Sequence, residues 1–199
     1  MTGVVPGPDG LPRCPWGAGS ADYTAYHDDE WGRPVHGEAP LFERISLEAF
    51  QSGLSWITIL RKREAFRAAF AGFDPAAVAQ FDDGDVARLL ADAGIVRNRL
   101  KVLATVANAR AVVALDGGLD ALLWSFAPSG DRRAPVTTAD VVAVTPESTA
   151  MAKALKGNGF RFVGPTTAYA LMQATGIVND HLADCWVDVE AAETSMTAD

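Results

Sequence analysis

Apolar residues recur at helical intervals along most of this chain, and the strict alternation of exposed strands is scarce. Leu41, Phe42, Ile45, Ala49 and Phe50 form one stripe, opened by Pro40 and stopped by Gly53. Ser55 is placed to cap a second helix running to Phe70, with Gly72 after it. Asp74-Pro75 opens a short third helix by the same cap-then-proline logic, and 83–93 forms a fourth with Val86, Leu89 and Leu90 inward. Gly94 and a short apolar and basic turn lead into a helix over 99–115. Further helices fit 119–126, 147–157 and 165–175, each bordered by glycine or proline. The pattern predicts an all-α fold, an irregular globule of short helices.

Three prolines and three glycines make residues 1–12 a loose leader, and 187–199 reads as an acidic tail. A single domain is therefore expected over 13–186. The chain has 199 residues, 49% hydrophobic and 21% charged, enough to bury a core. No stretch approaches the roughly 18–20 uninterrupted apolar residues of a membrane span, so no membrane partner is expected. The first residues lack a basic region followed by an apolar run, so a secretory signal is not expected and a reducing cytoplasm is.

The net charge of −8 argues at first against nucleic acid. Its distribution weakens that argument. Residues 1–30 hold five acids and one base, and 180–199 hold six acids and no base. The body, 31–179, has 14 acids against 16 bases, a net of +2, with basic clusters at 61–67, 97–101 and 153–161.

Residues 85–110 read as two amphipathic helices joined by the tight turn Gly94-Ile95-Val96-Arg97-Asn98-Arg99. The second helix begins among Arg97, Arg99 and Lys101, with no acid beside them. Free backbone N–H groups at a helix N-terminus favour an anion, so this helix–hairpin–helix is a candidate phosphate seat. An ordinary hairpin with a solvated basic end would read the same.

The two cysteines and three histidines are also informative. Cys14 and His27 lie near one end of the chain, His181 and Cys185 near the other. At i and i+4 the second pair would share one helix face. Two Cys and two His make a closed tetrahedral set suited to one structural Zn²⁺, with no open position for catalysis. A buried thiol and unrelated histidines are the alternative. His36 has no companion and reads as a surface residue.

Tyr23, Tyr26 and Trp31 flank His27, and Trp56 lies further along the chain. Glu48 sits in an apolar helix, where an unpaired carboxylate is costly to bury. Aromatic walls with one carboxylate would suit a flat, cationic ligand. Core aromatics and an exposed glutamate are the other reading.

Taken together, RCPW (13–16), AYHDDEWGRP (25–34), LFERISLEAFQSGLSWITILRKRE (41–64), DAGIVRNRLK (92–101), LWSF (123–126), KALKGNGFRFVGPTTAYALMQATGIVNDH (153–181) and Cys185 resemble the 3-methyladenine DNA glycosylase I family. The resemblance implies an all-α fold of the helix–hairpin–helix DNA glycosylase type, its ends joined by structural zinc at Cys14, His27, His181 and Cys185. It implies a monofunctional enzyme that flips N3-methyladenine, and less well N3-methylguanine, out of alkylated double-stranded DNA and releases the free base. Glu48 matches the carboxylate that reads the base and serves catalysis. Tyr26, Trp31 and Trp56 match pocket aromatics, with Tyr23 beside them. Gly53 and Leu54 match the contact with the gap left in the duplex, while Arg97, Asn98, Arg99 and Lys101 lie at the hairpin expected to meet DNA. The helix over 99–115 carries no acid, in keeping with a family that lacks the catalytic aspartate of its superfamily. No catalytic cofactor is implied, and nothing demands more than a monomer. A non-catalytic helix–hairpin–helix module that binds damaged DNA and a zinc hydrolase unrelated to DNA are the competing readings.

Overall fold

Several helices start where a short polar side chain accepts free backbone amides. The computed structural model describes residues 2–130 and 132–189. Among them are α1 (Ala21–Asp29), α2 (Glu38–Gln51), α3 (Trp56–Leu60), α4 (Arg63–Ala69), α5 (Pro75–Ala79), α6 (Asp83–Ala91), α7 (Arg99–Val113), α8 (Gly118–Trp124), α9 (Pro146–Gly157) and α10 (Pro165–Ala174). Asp74 accepts from Ala76 ahead of α5, Asp82 and Asp85 form a reciprocal box at α6, and Thr145 and Ser148 form another at α9. Asn98 starts α7 by accepting from the amides of Leu100 and Lys101 at 3.1 and 3.2 Å.

The all-α expectation holds with one small exception. Residues 5–6 and 12–13 form a two-stranded antiparallel hairpin, β1 (Val5–Pro6) and β2 (Pro12–Arg13), in what the sequence presents as a loose leader. The cause is Arg13, only 2% exposed, whose guanidinium is held by Asp9 and Asp28. α1 is a helix the periodicity does not reveal, because ADYTAYHDD carries no apolar stripe. The helix expected over 55–70 is two helices, α3 and α4, with a turn at Arg61–Lys62. At that turn the Lys62 ammonium reaches across to the carbonyls of Ala93 and Gly94, both at 3.0 Å. Of the acidic tail expected over 187–199, Val187 and Val189 are instead buried, and 190–199 lies outside the described residues.

The chain divides into two compact units. Among the described residues, one comprises 2–34, 128–130, 132–143 and 172–189; the other comprises 35–127 and 144–171. The second unit holds α2 through α9 and is built on phenylalanine. Phe42, Phe50, Phe66, Phe70 and Phe73 are fully buried, with ring centroids 4.7 Å apart for Phe50–Phe66, 5.5 Å for Phe70–Phe73 and 6.0 Å for Phe42–Phe73. Each such ring contributes on the order of 2–3 kcal/mol by leaving water. α2 supplies two of these rings, which fixes the rotation of that helix and so the direction of Glu48. No single helix among the described residues is long and apolar enough to cross a membrane.

Candidate functional site

The first unit gathers the four sulfur and nitrogen donors that the sequence places at opposite ends of the chain. One donor atom from each of Cys14, His27, His181 and Cys185 lies within 4.8 Å of every other. Cys185 Sγ is 3.6 Å from both His27 Nε2 and His181 Nδ1, and Cys14 Sγ is 4.0 Å from His181 Nδ1. A tetrahedral ion with bonds of about 2.1–2.3 Å holds its ligands about 3.6 Å apart, so the set fits Zn²⁺. Each element delivers its donor by a local device. Cys14 comes directly after β2 and His27 lies on α1. His181 and Cys185 do not share a helix, as their spacing suggests, but flank a turn closed by the Cys185 N–H to Leu182 carbonyl bond of 2.8 Å. A turn brings i and i+4 together as well as a helix does, and it leaves both side chains on its inner side. Gly17 is required here, because a Cβ at that position would meet the ring of His27 at 2.5 Å.

The contacts behind the donors set the histidine tautomers. His27 donates from Nδ1 to Asp28 Oδ1 at 2.8 Å, leaving the Nε2 lone pair facing the donor set. His181 donates from Nε2 to the Trp31 carbonyl at 3.0 Å, leaving Nδ1. Asp28 thus stands where a carboxylate would orient His27 if that histidine held a metal. It also accepts from Arg13 at 2.7 Å and from the Trp186 indole at 3.3 Å. Burial works to raise the Asp28 pKa, but the bonds from Arg13 and His27 outweigh it and hold the carboxyl below its ordinary range. The Cys14 thiol partners Cys185 and, with burial, is pushed up; the same partnership, reinforced by His181 and His27, pulls Cys185 down. Arg13 and Asp28 are site residues that the spacing of cysteine and histidine does not reveal. The signal present in the sequence is an acid directly after His27 and a base directly before Cys14.

Tyr23, Tyr26 and Trp31 belong to this unit and gather around Trp16. The indole of Trp16 stands 5.9 Å from Tyr23, 6.3 Å from Tyr26, and 5.0 Å from both His27 and Trp31. Trp16, which the sequence presents only as part of the RCPW motif, is therefore the hub of the aromatic set. Tyr26 is buried, while Tyr23 and Trp31 keep part of their surface.

Glu48 and Trp56 belong to the second unit. Glu48 is 6% exposed, against the reading of an exposed glutamate, and makes no hydrogen bond to any described residue. Burial pushes its pKa from 4.5 up to about 8, with the charge of Arg44 acting in the opposite direction. A carboxyl held this way lacks a hydrogen-bonded partner of its own and responds strongly to a cation brought beside it. Trp56 opens α3 and is half-buried. Between α2 and α3 the chain turns at Gly53, with φ of 83° and open space where a side chain would stand, and presents Leu54 at 41% exposure.

The hairpin residues divide. Arg97 and Arg99 are exposed, and their side chains bond to no described residue. Asn98 is exposed but spends its side-chain oxygen on capping α7. Lys101 departs from the expectation of a phosphate contact: it is 7% exposed, with its ammonium on the carbonyls of Phe50 and Ser52. His36 is exposed as expected, yet it is paired with Asp120 at 3.0 Å and stacked on Trp124 at 4.5 Å.

Residues 16–188 match the family model of methyladenine glycosylase. The chain is 45% identical over 179 residues to DNA-3-methyladenine glycosylase 1 of Escherichia coli (strain K12), covering 88% of this chain and 96% of that one. It is 42% identical over 181 residues to DNA-3-methyladenine glycosylase of Haemophilus influenzae, covering 87% and 96%. Its structure is similar, with a TM-score of 0.83 and 35% identity over 88% of this chain and 95% of the other, to 3-methyladenine DNA glycosylase I of Staphylococcus aureus, solved for its recognition of 3-methyladenine. With the family match spanning 16–188 and 45% identity over 179 residues, the chain belongs to the methyladenine glycosylase family.

Proposed function

We propose that this protein is a monofunctional DNA glycosylase. It extrudes N3-methyladenine, and less readily N3-methylguanine, from alkylated duplex DNA and hydrolyses the N-glycosidic bond. The observation that carries the reading is Glu48: a buried carboxyl without a hydrogen-bonded partner, in a chain whose relatives are named for 3-methyladenine.

The chemistry asks little of the protein. N3-methyladenine on DNA is cationic and departs as a neutral base, so the bond to the sugar is already weak. The work lies in unstacking the nucleotide, at a few kcal/mol, and in holding it where water can reach the sugar. Glu48 accepts from the exocyclic amine, and its charge favours the cationic base and then the positive character that develops on the sugar. Tyr23, Tyr26, Trp31 and Trp56 are assigned to recognition of the base through their aromatic rings. The absence of an acid on α7 accords with catalysis by a good leaving group and an enclosed water, without a superfamily aspartate. Undamaged adenine lacks both the charge and the weak bond, and is left in place.

Gly53 and Leu54 are assigned to the gap in the duplex, and Arg97 and Arg99, with the amides that come after Asn98, to phosphate. Cys14, His27, His181 and Cys185 are assigned to one structural Zn²⁺, which supplies stability and no catalytic step. The domain is taken as 13–186, acting as a monomer in the cytoplasm.

The test is incubation of the purified protein with methylated DNA. Release of free 3-methyladenine without strand cleavage is expected; DNA binding without release would favour a non-catalytic damage-binding module instead.

A further inference from the structure

Lys101 is the third residue of α7 and stands in sequence beside Arg97 and Arg99, as if it were one more phosphate contact. Its side chain points elsewhere. The ammonium donates to the carbonyl of Phe50 at 2.8 Å and to that of Ser52 at 2.5 Å. These are among the last carbonyls of α2, which have no partner within their own helix, and α2 has no basic residue of its own in its last turn. A cation from another helix satisfies them and complements the negative end of the helix dipole.

Directly after those carbonyls comes the turn that presents Leu54. Gly53 takes a left-handed φ of 83°, and the Leu54 N–H returns to the Gln51 carbonyl at 2.6 Å. Leu54 itself is a large apolar side chain left 41% exposed. An apolar side chain raised on a tight turn is the shape that wedges between base steps, and a wedge works only if its base is stiff. Lys101 supplies that stiffness from the first turn of the helix whose start carries the free arginines. It therefore ties the direction of the wedge to the part of the protein that grips phosphate.

We propose that Lys101 is a positioning residue for duplex opening: it locks the Gly53–Leu54 turn in register with the helix–hairpin–helix and makes no DNA contact of its own. This rests on the proposed function, in which Leu54 fills the gap in the duplex.

The test is Lys101→Met in the full chain, read four ways. Amide exchange at Leu54 should speed up about tenfold as the turn loosens. Excision of 3-methyladenine from methylated duplex should fall about tenfold, because a small misplacement of a working group is costly. Binding of free 3-methyladenine, seen by tryptophan quenching, should change less than about twofold, since no duplex has to be opened. The slope of log affinity against log salt on undamaged duplex should not move; a lost phosphate contact would reduce it by about 0.9. A reduced slope overturns the proposal in favour of a direct contact. Equal losses of duplex excision and free-base binding overturn it in favour of a general structural role. Leu54→Ala separates the wedge from its support. If it leaves duplex excision intact, the wedge reading fails; if it lowers excision while Leu54 exchange is unchanged in Lys101→Met, the role of Lys101 fails alone. Should Lys101→Met not fold, acetylation of the wild-type lysines decides. Lys101 is expected to react slowly with and without DNA, whereas fast reaction that DNA suppresses would overturn the proposal.

Discussion

At the scale of single residues, the buried carboxyl of Glu48 leads to one prediction about stability and one about activity. Its carboxyl is raised from 4.5 to about 8 in the folded protein, so the folded state binds this proton more tightly than the unfolded chain does. Stability from that proton is complete below about pH 4.5 and is lost as pH rises through about 8. Glu48→Gln removes the penalty, and should raise stability above pH 8 by up to about 5 kcal/mol while changing nothing near pH 4. Denaturant titrations at the two pH values check this. The same substitution should cost most of the base-release activity. In the parent, kcat/KM should climb as pH passes through about 8, and the climb should be absent from the variant. Asp28 makes a separate prediction. Its bond to His27 Nδ1 fixes the tautomer, so Asp28→Asn should weaken zinc affinity about 10–100-fold in a chelator competition with the fold retained. Unchanged affinity would show that His27 needs no such partner.

At the scale of elements, most helices could be read from periodicity and caps. Asp74-Pro75, Asp82 and Thr145 mark their starts plainly, because a polar cap and the free amides it serves are neighbours in sequence. α1 could not be read this way, since its buried positions are Tyr26, His27 and Asp28, and what makes them interior is the donor set and Arg13, not an apolar stripe. The break at Arg61–Lys62 was equally hidden, for Lys62 answers to carbonyls 31 and 32 residues away. The donor set itself was legible because there are so few cysteines and histidines to pair. The fate of Lys101 was not, because a basic residue at a helix start looks the same whether it faces solvent or a neighbouring helix. Two predictions belong here. Asn98→Ala removes the cap of α7 and should cost about 1 kcal/mol, measured by denaturant midpoint. Arg97→Gln and Arg99→Gln should each lower the salt slope of duplex binding by about 0.9, with free-base binding intact.

At the scale of the whole molecule, the body charge of +2 overstates what is available to DNA. Arg67 is paired with Glu43 and Glu64, Lys62 and Lys101 close backbone carbonyls, and Arg110 donates to the carbonyls of Ala79 and Phe81. Within the basic clusters at 61–67 and 97–101, Lys62, Arg67 and Lys101 are therefore internal fasteners. Arg97 and Arg99 are exposed; on the proposed function they meet phosphate, so nonspecific affinity should be modest and the extruded base should carry much of the grip. The donor set makes a matching statement about stability. It joins chain segments 154 residues apart between His27 and His181, so chelation should lower the melting temperature and elemental analysis should find about one zinc per chain. Purified protein incubated with methylated duplex DNA should release free 3-methyladenine and leave the strand uncut. DNA bound as tightly as expected, with no base released, would make the protein a damage-binding module and not a glycosylase.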